Sequence, residues 1–298
     1  MRLGIVVILV IVAAVSAPAS AGPEEADSRS DRATGTPDAA TTKISIRIDR
    51  GEASPIPLDS LSIVITYDNY TYREGLQTEW GFSCVVTGPE KTILFDTGGE
   101  GSVLLDNMAK LGIEPREIDI IVLSHVHGDH TGGLGAFLKA NPDVTVYLLE
   151  SFGNTLKKKA KDSAREVVEV DDAVEICKGV HTTGEMGYSI REQGLIVETD
   201  EGLVVITGCA HPGIVEMVGK ARSVTGGDVL LVLGGFHLVR AGKDEIGDVI
   251  AGLKDAGVRY AAPCHCTGDM AREMFLEEFG PKYIPAGVGR SFAAPDLN

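Results

Sequence analysis

Basic residues are scarce in this chain: 27 Lys and Arg stand against 43 Asp and Glu, a formal net charge of −16 over 298 residues. A field of that sign repels phosphate backbones and anionic headgroups, which argues against nucleic acid and lipid surfaces as partners. A local pocket for a small anion is still compatible with it. Aromatic residues are also few, 5% of the total with a single Trp, while Gly numbers 36. The core must therefore be aliphatic and the turns glycine-built. Five cysteines at irregular spacing, Cys84, Cys177, Cys209, Cys264 and Cys266, are too few and too odd in number for a disulfide scaffold. What the chain does have is apolar content and length. Hydrophobic residues make up 44% and charged residues 23%, a globular composition with enough chain to bury one large core or two small ones.

The longest hydrophobic run lies at the amino terminus. Arg2 precedes Leu3 to Val15, a run shorter than a membrane span needs. Ser16-Ala17-Pro18-Ala19-Ser20-Ala21 follows, and Ala19-Ser20-Ala21 fits the small-x-small pattern of secretory cleavage. Residues 1–21 are expected to be a signal peptide that exports the chain to the periplasm or the exterior; the alternative is an uncleaved helix that anchors it to the membrane. No cysteine follows the run, so no lipid anchor is expected, and after cleavage no stable membrane contact. Residues 22–42 are dominated by Ala, Asp, Glu, Ser, Thr and Pro. Such a segment buries too little surface to offset its ordering entropy and is expected to be a disordered linker. The folded domain is expected over residues 43–298.

From there strands and helices alternate. Ile44 to Ile48 and Leu61 to Ile65 alternate with period two, which predicts strands. Phe82 to Val86 and Lys91 to Phe95 read as a hairpin around Gly88-Pro89. Helices are expected over residues 102–112, 131–140, 213–224, 244–256 and 268–279, and strands over 120–123, 144–148, 228–233 and 259–262. Residues 167–207 are strand-rich, with Leu195 to Glu198 and Leu203 to Ile206 flanking the turn Asp200-Glu201-Gly202. Each half ends in a strand that runs into a histidine-bearing loop. The class is α/β (α+β), with two mixed sheets layered face to face and helices on the outer faces.

The densest chemistry lies in Ser124-His125-Val126-His127-Gly128-Asp129-His130-Thr131-Gly132-Gly133, between an apolar strand and a helix. Four potential ligands in six residues cannot share one face of a strand or helix. A tight turn at Gly128 lets His125 and His127 face one ion, and Asp129 and His130 a second. Neutral imidazoles with a carboxylate suit Zn²⁺, one ion or two, ahead of iron or manganese. A buried strand that empties into so many groups costly to desolvate needs a cation to compensate them. Leu203 to Gly213 and Tyr260 to Gly268 repeat the layout of strand, small-residue turn and histidine, which adds His211 and His265 as ligands. His181 lacks such a context and reads as a surface residue.

The order His125-x-His127-x-Asp129-His130, then His211 and His265, resembles the metallo-β-lactamase superfamily from about residue 60 onward. The resemblance implies an αββα sandwich with a metal site at one edge between the sheets. Phe95-Asp96-Thr97-Gly98-Gly99 matches the strand-end Asp motif, in which Asp96 orients a histidine ligand and fixes its tautomer. Asp68-Asn69, Glu79 to Ser83, Thr207 to His211, Gly234 to Leu238 and Pro263 to Gly268 occur in that order. Together they resemble the branch named for 7,8-dihydropterin-6-yl-methyl-4-(β-D-ribofuranosyl)aminobenzene 5′-phosphate synthase. That resemblance implies a C–N bond-forming transferase joining a dihydropterin methyl carbon to an arylamine that carries a ribose phosphate. The substrate is then a small, phosphorylated molecule, and Asn69, Gly234 and Gly235 are its expected contacts.

One position departs from the superfamily pattern. Many members place an Asp that bridges both metals at the end of a late strand; here Val229 to Leu233 runs into Gly234-Gly235-Phe236-His237 without a carboxylate. A second cation loses that compensating charge. His237 is expected to face the pocket and contact substrate, with Phe236 turned into the core, and to share catalysis with Asp129. Cys264 and Cys266 flank His265, and a bridge two residues apart is strained, so no disulfide is expected there. Cys209 is expected simply to pack. Free thiols in an exported protein imply burial or a mildly oxidising compartment. Two alternatives to the transferase stand: a zinc-dependent hydrolase of an ester, lactone or phosphodiester, in which Asp129 assists proton movement, and a metal-binding protein without catalysis. The sequence carries no signal of oligomeric state. Limited proteolysis of the mature chain should trim the residues before about Lys43 and leave a stable core. A protected amino terminus would move the domain boundary earlier.

Overall fold

The computed structural model describes residues 55–297. The expected signal peptide (1–21), the linker (22–42) and the strand over 44–48 lie outside the described residues. The first sheet begins with three antiparallel strands, β1 (Ser62–Tyr67), β2 (Ser83–Thr87) and β3 (Ile93–Phe95). Helix α1 (Gly101–Leu111) returns the chain so that β4 (Ile120–Val122) lies parallel to β3. Helices α2 (Gly128–Thr131) and α3 (Leu134–Ala140) lead to β5 (Thr145–Leu149), and α4 (Asn154–Lys161) to β6 (Glu166–Val170), again in parallel. The second sheet takes antiparallel strands first, β7 (Glu175–Cys177), β8 (Val180–Thr182), β9 (Leu195–Thr199) and β10 (Gly202–Thr207). Helix α5 (Ile214–Thr225) then returns the chain to β11 (Val229–Gly235), and α6 (Lys243–Asp255) to β12 (Tyr260–Cys264), both in parallel. After α7 (Asp269–Phe279), β13 (Ser291–Phe292) crosses back to pair with β1. The spatial orders are β13-β1-β2-β3-β4-β5-β6 and β12-β11-β10-β9-β8-β7.

Side-chain alternation decides what each face meets. Val204 and Ile206 of β10 join a cluster with Ile65, Leu94 and Ile121 of the first sheet, which places the main core between the two sheets. Leu203 and Val205 turn the other way, onto Met217 and Val218 of α5 and Ile250 of α6. The result is a sandwich of two mixed sheets with helices outside, as the pattern of elements predicts. Among the described residues no helix is long and apolar enough to cross a membrane.

Three local expectations are corrected. The single helix expected over 131–140 is two helices, interrupted where the chain presses on the loop after β3. A Cβ on Gly132 would stand 2.1 Å from the Gly99 carbonyl oxygen, and one on Gly133 equally close, 2.1 Å, to that of Thr97. Helix α4, unmarked by any apolar periodicity, is held by charge: Lys157 and Lys161 both reach Glu169 of β6, at 2.6 and 2.8 Å. His181 is buried in β8 rather than on the surface, and its Nε2 meets the Glu198 carboxylate of the adjacent strand β9.

The glycines give a paired test. Gly132→Ala forces a methyl into backbone and should cost roughly 1–3 kcal/mol in urea unfolding. Gly219→Ala, in the middle of α5 with nothing within 4 Å of its Cβ position, should instead stabilise by about 0.5–1 kcal/mol. Equal effects would show that the contact behind Gly132 does not hold.

Candidate metal centre

Five parallel strands deliver the chemistry at their carboxyl ends. Asp96 follows β3, Ser124 and His125 follow β4, Cys209 and His211 follow β10, His237 follows β11 and His265 follows β12. Four non-glycine residues among the described residues take left-handed backbone, and all lie on these exits: Asp96 at φ 57°, Ala210 at 58°, His237 at 55° and His265 at 47°. Such conformations cost of order 1–3 kcal/mol each and persist only where the surroundings impose them.

Asp96 is fully buried and sets the protons of two histidines. Its Oδ1 accepts the Ser124 backbone N–H at 2.7 Å, and its Oδ2 accepts the Ser124 hydroxyl at 2.7 Å. Oδ2 also lies 2.7 Å from His130 Nδ1. Burial pulls the Asp96 carboxyl up and the His130 imidazole down, so the pair holds one proton along that line and leaves His130 Nε2 bare. Ser124 Oγ has given its own hydrogen to Asp96 and so accepts from His125 Nδ1 at 2.9 Å, which bares His125 Nε2 as well. Burial, with the His130 charge beside it, pushes His125 down to about 3, so this imidazole is neutral at ordinary pH.

Glu192 does the same for the second sheet, and no motif in the sequence marks it. Its Oε1 accepts the backbone N–H groups of Gly208, Cys209 and Ala210 at 3.1, 2.9 and 2.8 Å. Its Oε2 accepts the His211 backbone N–H at 2.9 Å and the His211 ring Nδ1 at 2.8 Å. Burial alone would raise this carboxyl. The hydrogen bond from His211, the His125 ring and the backbone donors outweigh it and hold the group well below the carboxylate range. His265 is fixed in turn by Asn69, whose Oδ1 accepts His265 Nδ1 at 3.0 Å and whose Nδ2 reaches the His265 carbonyl at 3.4 Å.

These bonds turn ring Nε2 atoms toward one pocket. His130 Nε2 faces His265 Nε2 at 3.2 Å, and His125 Nε2 faces His127 Nδ1 at 3.1 Å. His265 Nε2 also lies 3.4 Å from Asp129 Oδ2, so without a cation it carries a proton there, in the place a metal ion would take. Two nitrogens on one tetrahedral zinc stand roughly 3.3 Å apart, given Zn–N bonds of about 2.0–2.1 Å. The donor set therefore fits metal ions. The potential donor atoms of His125, His127 and His211 lie within 4.8 Å of one another, and so do those of Asp129, His130 and His265. All six expected ligands thus meet, in two triads, each drawing on both sheets. Burial opposes ionisation of Asp129, but the hydrogen bond from His265 and the nearby imidazoles keep it well below its ordinary value.

Other expected site residues sit differently. Asn69 spends its amide on His265 and positions that ring. Gly234 and Gly235 are buried, and their missing side chains serve strand packing: Cβ atoms there would stand 2.0 Å from the Thr207 carbonyl oxygen and 2.4 Å from that of Gly208. His237 is exposed on the pocket rim with its ring centre 4.5 Å from that of His211, and Phe236 is buried. Its imidazole is raised by a hydrogen bond with Cys266, against the effect of burial. Trp80, 50% exposed, sets its ring 4.9 Å from the His265 ring. Cys209 does more than pack, since its Sγ lies 3.2 Å from His130 Nε2.

Comparison with known proteins agrees with this fold. Residues 81–245 match the model of the metallo-beta-lactamase superfamily. The chain is 32% identical over 283 residues to the 7,8-dihydropterin-6-methyl-4-(beta-D-ribofuranosyl)-aminobenzene-5′-phosphate synthase of Methanocaldococcus jannaschii, covering 78% of this chain and 96% of that protein. Among solved structures, a metal-dependent hydrolase of the beta-lactamase superfamily superposes with a TM-score of 0.67 at 28% identity, covering 78% of this chain and 99% of the other. A metallo-beta-lactamase fold protein from Bacillus subtilis shares the fold with a TM-score of 0.59 at 13% identity, with 78% and 99% covered.

Glu192→Gln turns an amide NH₂ toward groups that are themselves donors. It should cost about 1–3 kcal/mol in unfolding experiments, as for buried donors left unsatisfied. Metal affinity should fall by roughly 10–100-fold. A variant with unchanged affinity would show that Glu192 does not govern the His211 ring.

Proposed function

This chain belongs to the metallo-beta-lactamase superfamily, and on that premise we propose that it is a zinc-dependent enzyme that forms a C–N bond on a small phosphorylated substrate. The observation that carries the metal dependence is the convergence of imidazole nitrogens and one carboxylate in two triads, with facing nitrogen pairs at 3.1 and 3.2 Å. The reaction class draws its support from the similarity to the M. jannaschii synthase over most of both chains. When bound, zinc supplies Lewis acidity that polarises a leaving or carbonyl oxygen.

The chain's own residues define the rest. Asp96, Glu192 and Asn69 hold the ligand rings in one tautomer, so the donor set needs no reorganisation when a substrate arrives. Asp129 stays anionic and is partly open to the pocket, 23% exposed at its side chain, where it accepts a proton from the attacking amine. His237 brings a proton-bearing imidazole to the rim of an otherwise acidic protein and meets the substrate's phosphate. Trp80 offers an exposed flat face beside His265, a surface suited to a planar ring. The export signal expected at the amino terminus would place this chemistry outside the cytoplasm.

A second reading, a zinc-dependent hydrolase of an ester, lactone or phosphodiester, is favoured by the likeness to the metal-dependent hydrolase structure at 28% identity. Zinc-loaded protein separates the two. With an arylamine that carries a ribose phosphate and an activated dihydropterin, the first reading expects an amine-dependent coupled product. Turnover of a phosphodiester, lactone or ester without amine supports the second. His127→Ala should lose bound metal and activity together, and unchanged metal content in that variant removes the metal assignment. His237→Ala should keep its metal and lose roughly 10–10² in kcat/KM, the worth of a hydrogen bond to a charged group.

A further inference from the structure

The two triads hold one carboxylate between them, Asp129, for two dications. The exit of β11, at Gly235-Phe236-His237, brings no acidic side chain to the seam. The anion that the site lacks is available elsewhere. Cys209 Sγ lies in reach of donor atoms of His125 and His130, of His265 and Cys266, and of His211 and His237, each cluster within 4.8 Å. Among the described residues no other joins more than two such clusters, so this sulfur stands between the triads. It lies 3.2 Å from His130 Nε2, an atom bared by the Asp96 bond at Nδ1. A zinc with bonds of about 2.3 Å to sulfur and 2.0–2.1 Å to nitrogen sets such donors about 3.5 Å apart.

The loop around Cys209 leaves the sulfur little freedom. Its N–H is held by Glu192 Oε1 at 2.9 Å, and a Cβ on Gly208 would collide with Ser124 Oγ at 2.2 Å. Cys266, whose Sγ donates to the Cys209 carbonyl at 3.7 Å, clusters with Cys209 and His265 but with no member of the His125 triad.

We infer that Cys209, as a thiolate, is the anionic ligand that bridges the two ions in place of a carboxylate. The inference rests on the metal-dependent reading above. As the ions enter, the Cys209 S–H bond breaks, its proton passes to solvent and sulfur–metal bonds form, with no change of oxidation state.

Titration of the metal-free full chain with Co²⁺, read by absorbance and by bound metal, tests it. A thiolate ligand produces a near-ultraviolet sulfur-to-cobalt charge-transfer band that nitrogen and oxygen ligands do not. The wild-type protein should take up two ions with that band. Cys209→Ala should lose the band and weaken the second ion by at least roughly tenfold. Cys209→Asp should regain the second ion without the band, and Cys266→Ala should keep both. Uptake of two ions by the wild type without the band overturns the inference and leaves the metal-dependent reading standing. A band that survives Cys209→Ala and vanishes in Cys266→Ala overturns it by moving the thiolate to Cys266. No cobalt uptake at all removes the metal reading, and the bridge with it. The wild-type spectrum alone is enough to reject the bridge, so a variant that fails to fold cannot shelter it.

Discussion

Two buried carboxylates without a lysine or arginine partner, Asp96 and Glu192, order everything around them. A buried anion is tolerable only when its oxygens are saturated, and each here collects its donors from the exit of a neighbouring strand, β4 for Asp96 and β10 for Glu192. Asp96 binds Ser124 and His130 and thereby reaches His125 through the serine hydroxyl. Glu192 takes four consecutive backbone N–H groups and then the ring of His211. Each carboxylate thus converts its own desolvation cost into the orientation of ligand side chains. The fold itself orients these rings, and such preorganisation is what a metal site requires beyond a mere cluster of histidines.

The same exits carry the backbone strain. Asp96, Ala210, His237 and His265 hold left-handed φ values that side chains normally avoid. Close neighbours impose them: Gly132 and Gly133 let helices α2 and α3 press on the loop beside Asp96, and Gly208 lets the Cys209 loop touch Ser124.

Much of this was legible in the sequence because period and composition report burial directly. The apolar runs of β4, β10 and β11 and the histidines behind them fall where their residues suggest, and the resemblance to the superfamily holds. What the sequence does not display depends on partners far apart along the chain. Glu192 looks like any acid before a strand, since its function comes from a loop sixteen to nineteen residues later. Asn69 lies 196 residues from the ring it holds. His181 read as a surface residue because its burial comes from Glu198 across a strand pair that local pattern does not reveal. Gly234 and Gly235 suggested room for a ligand, whereas the room is taken by adjoining backbone. Helix α4 gave no apolar period, being held by lysines.

The seam between the layers has a consequence for the lifetime of the fold. His125, His127, Asp129 and His130 come from the first sheet, and His211 and His265 from the second, so an ion held by either triad would be a cross-tie between the two layers. Ligand binding to the native state alone adds RT ln(1 + [L]/Kd), about 4 kcal/mol at a thousandfold excess over Kd. With both ties in place the sheets cannot slide or part before coordination breaks. The loaded protein should then unfold at the pace at which metal leaves, and a chelator, by shortening that wait, would act on it as a denaturant does on an ordinary sandwich.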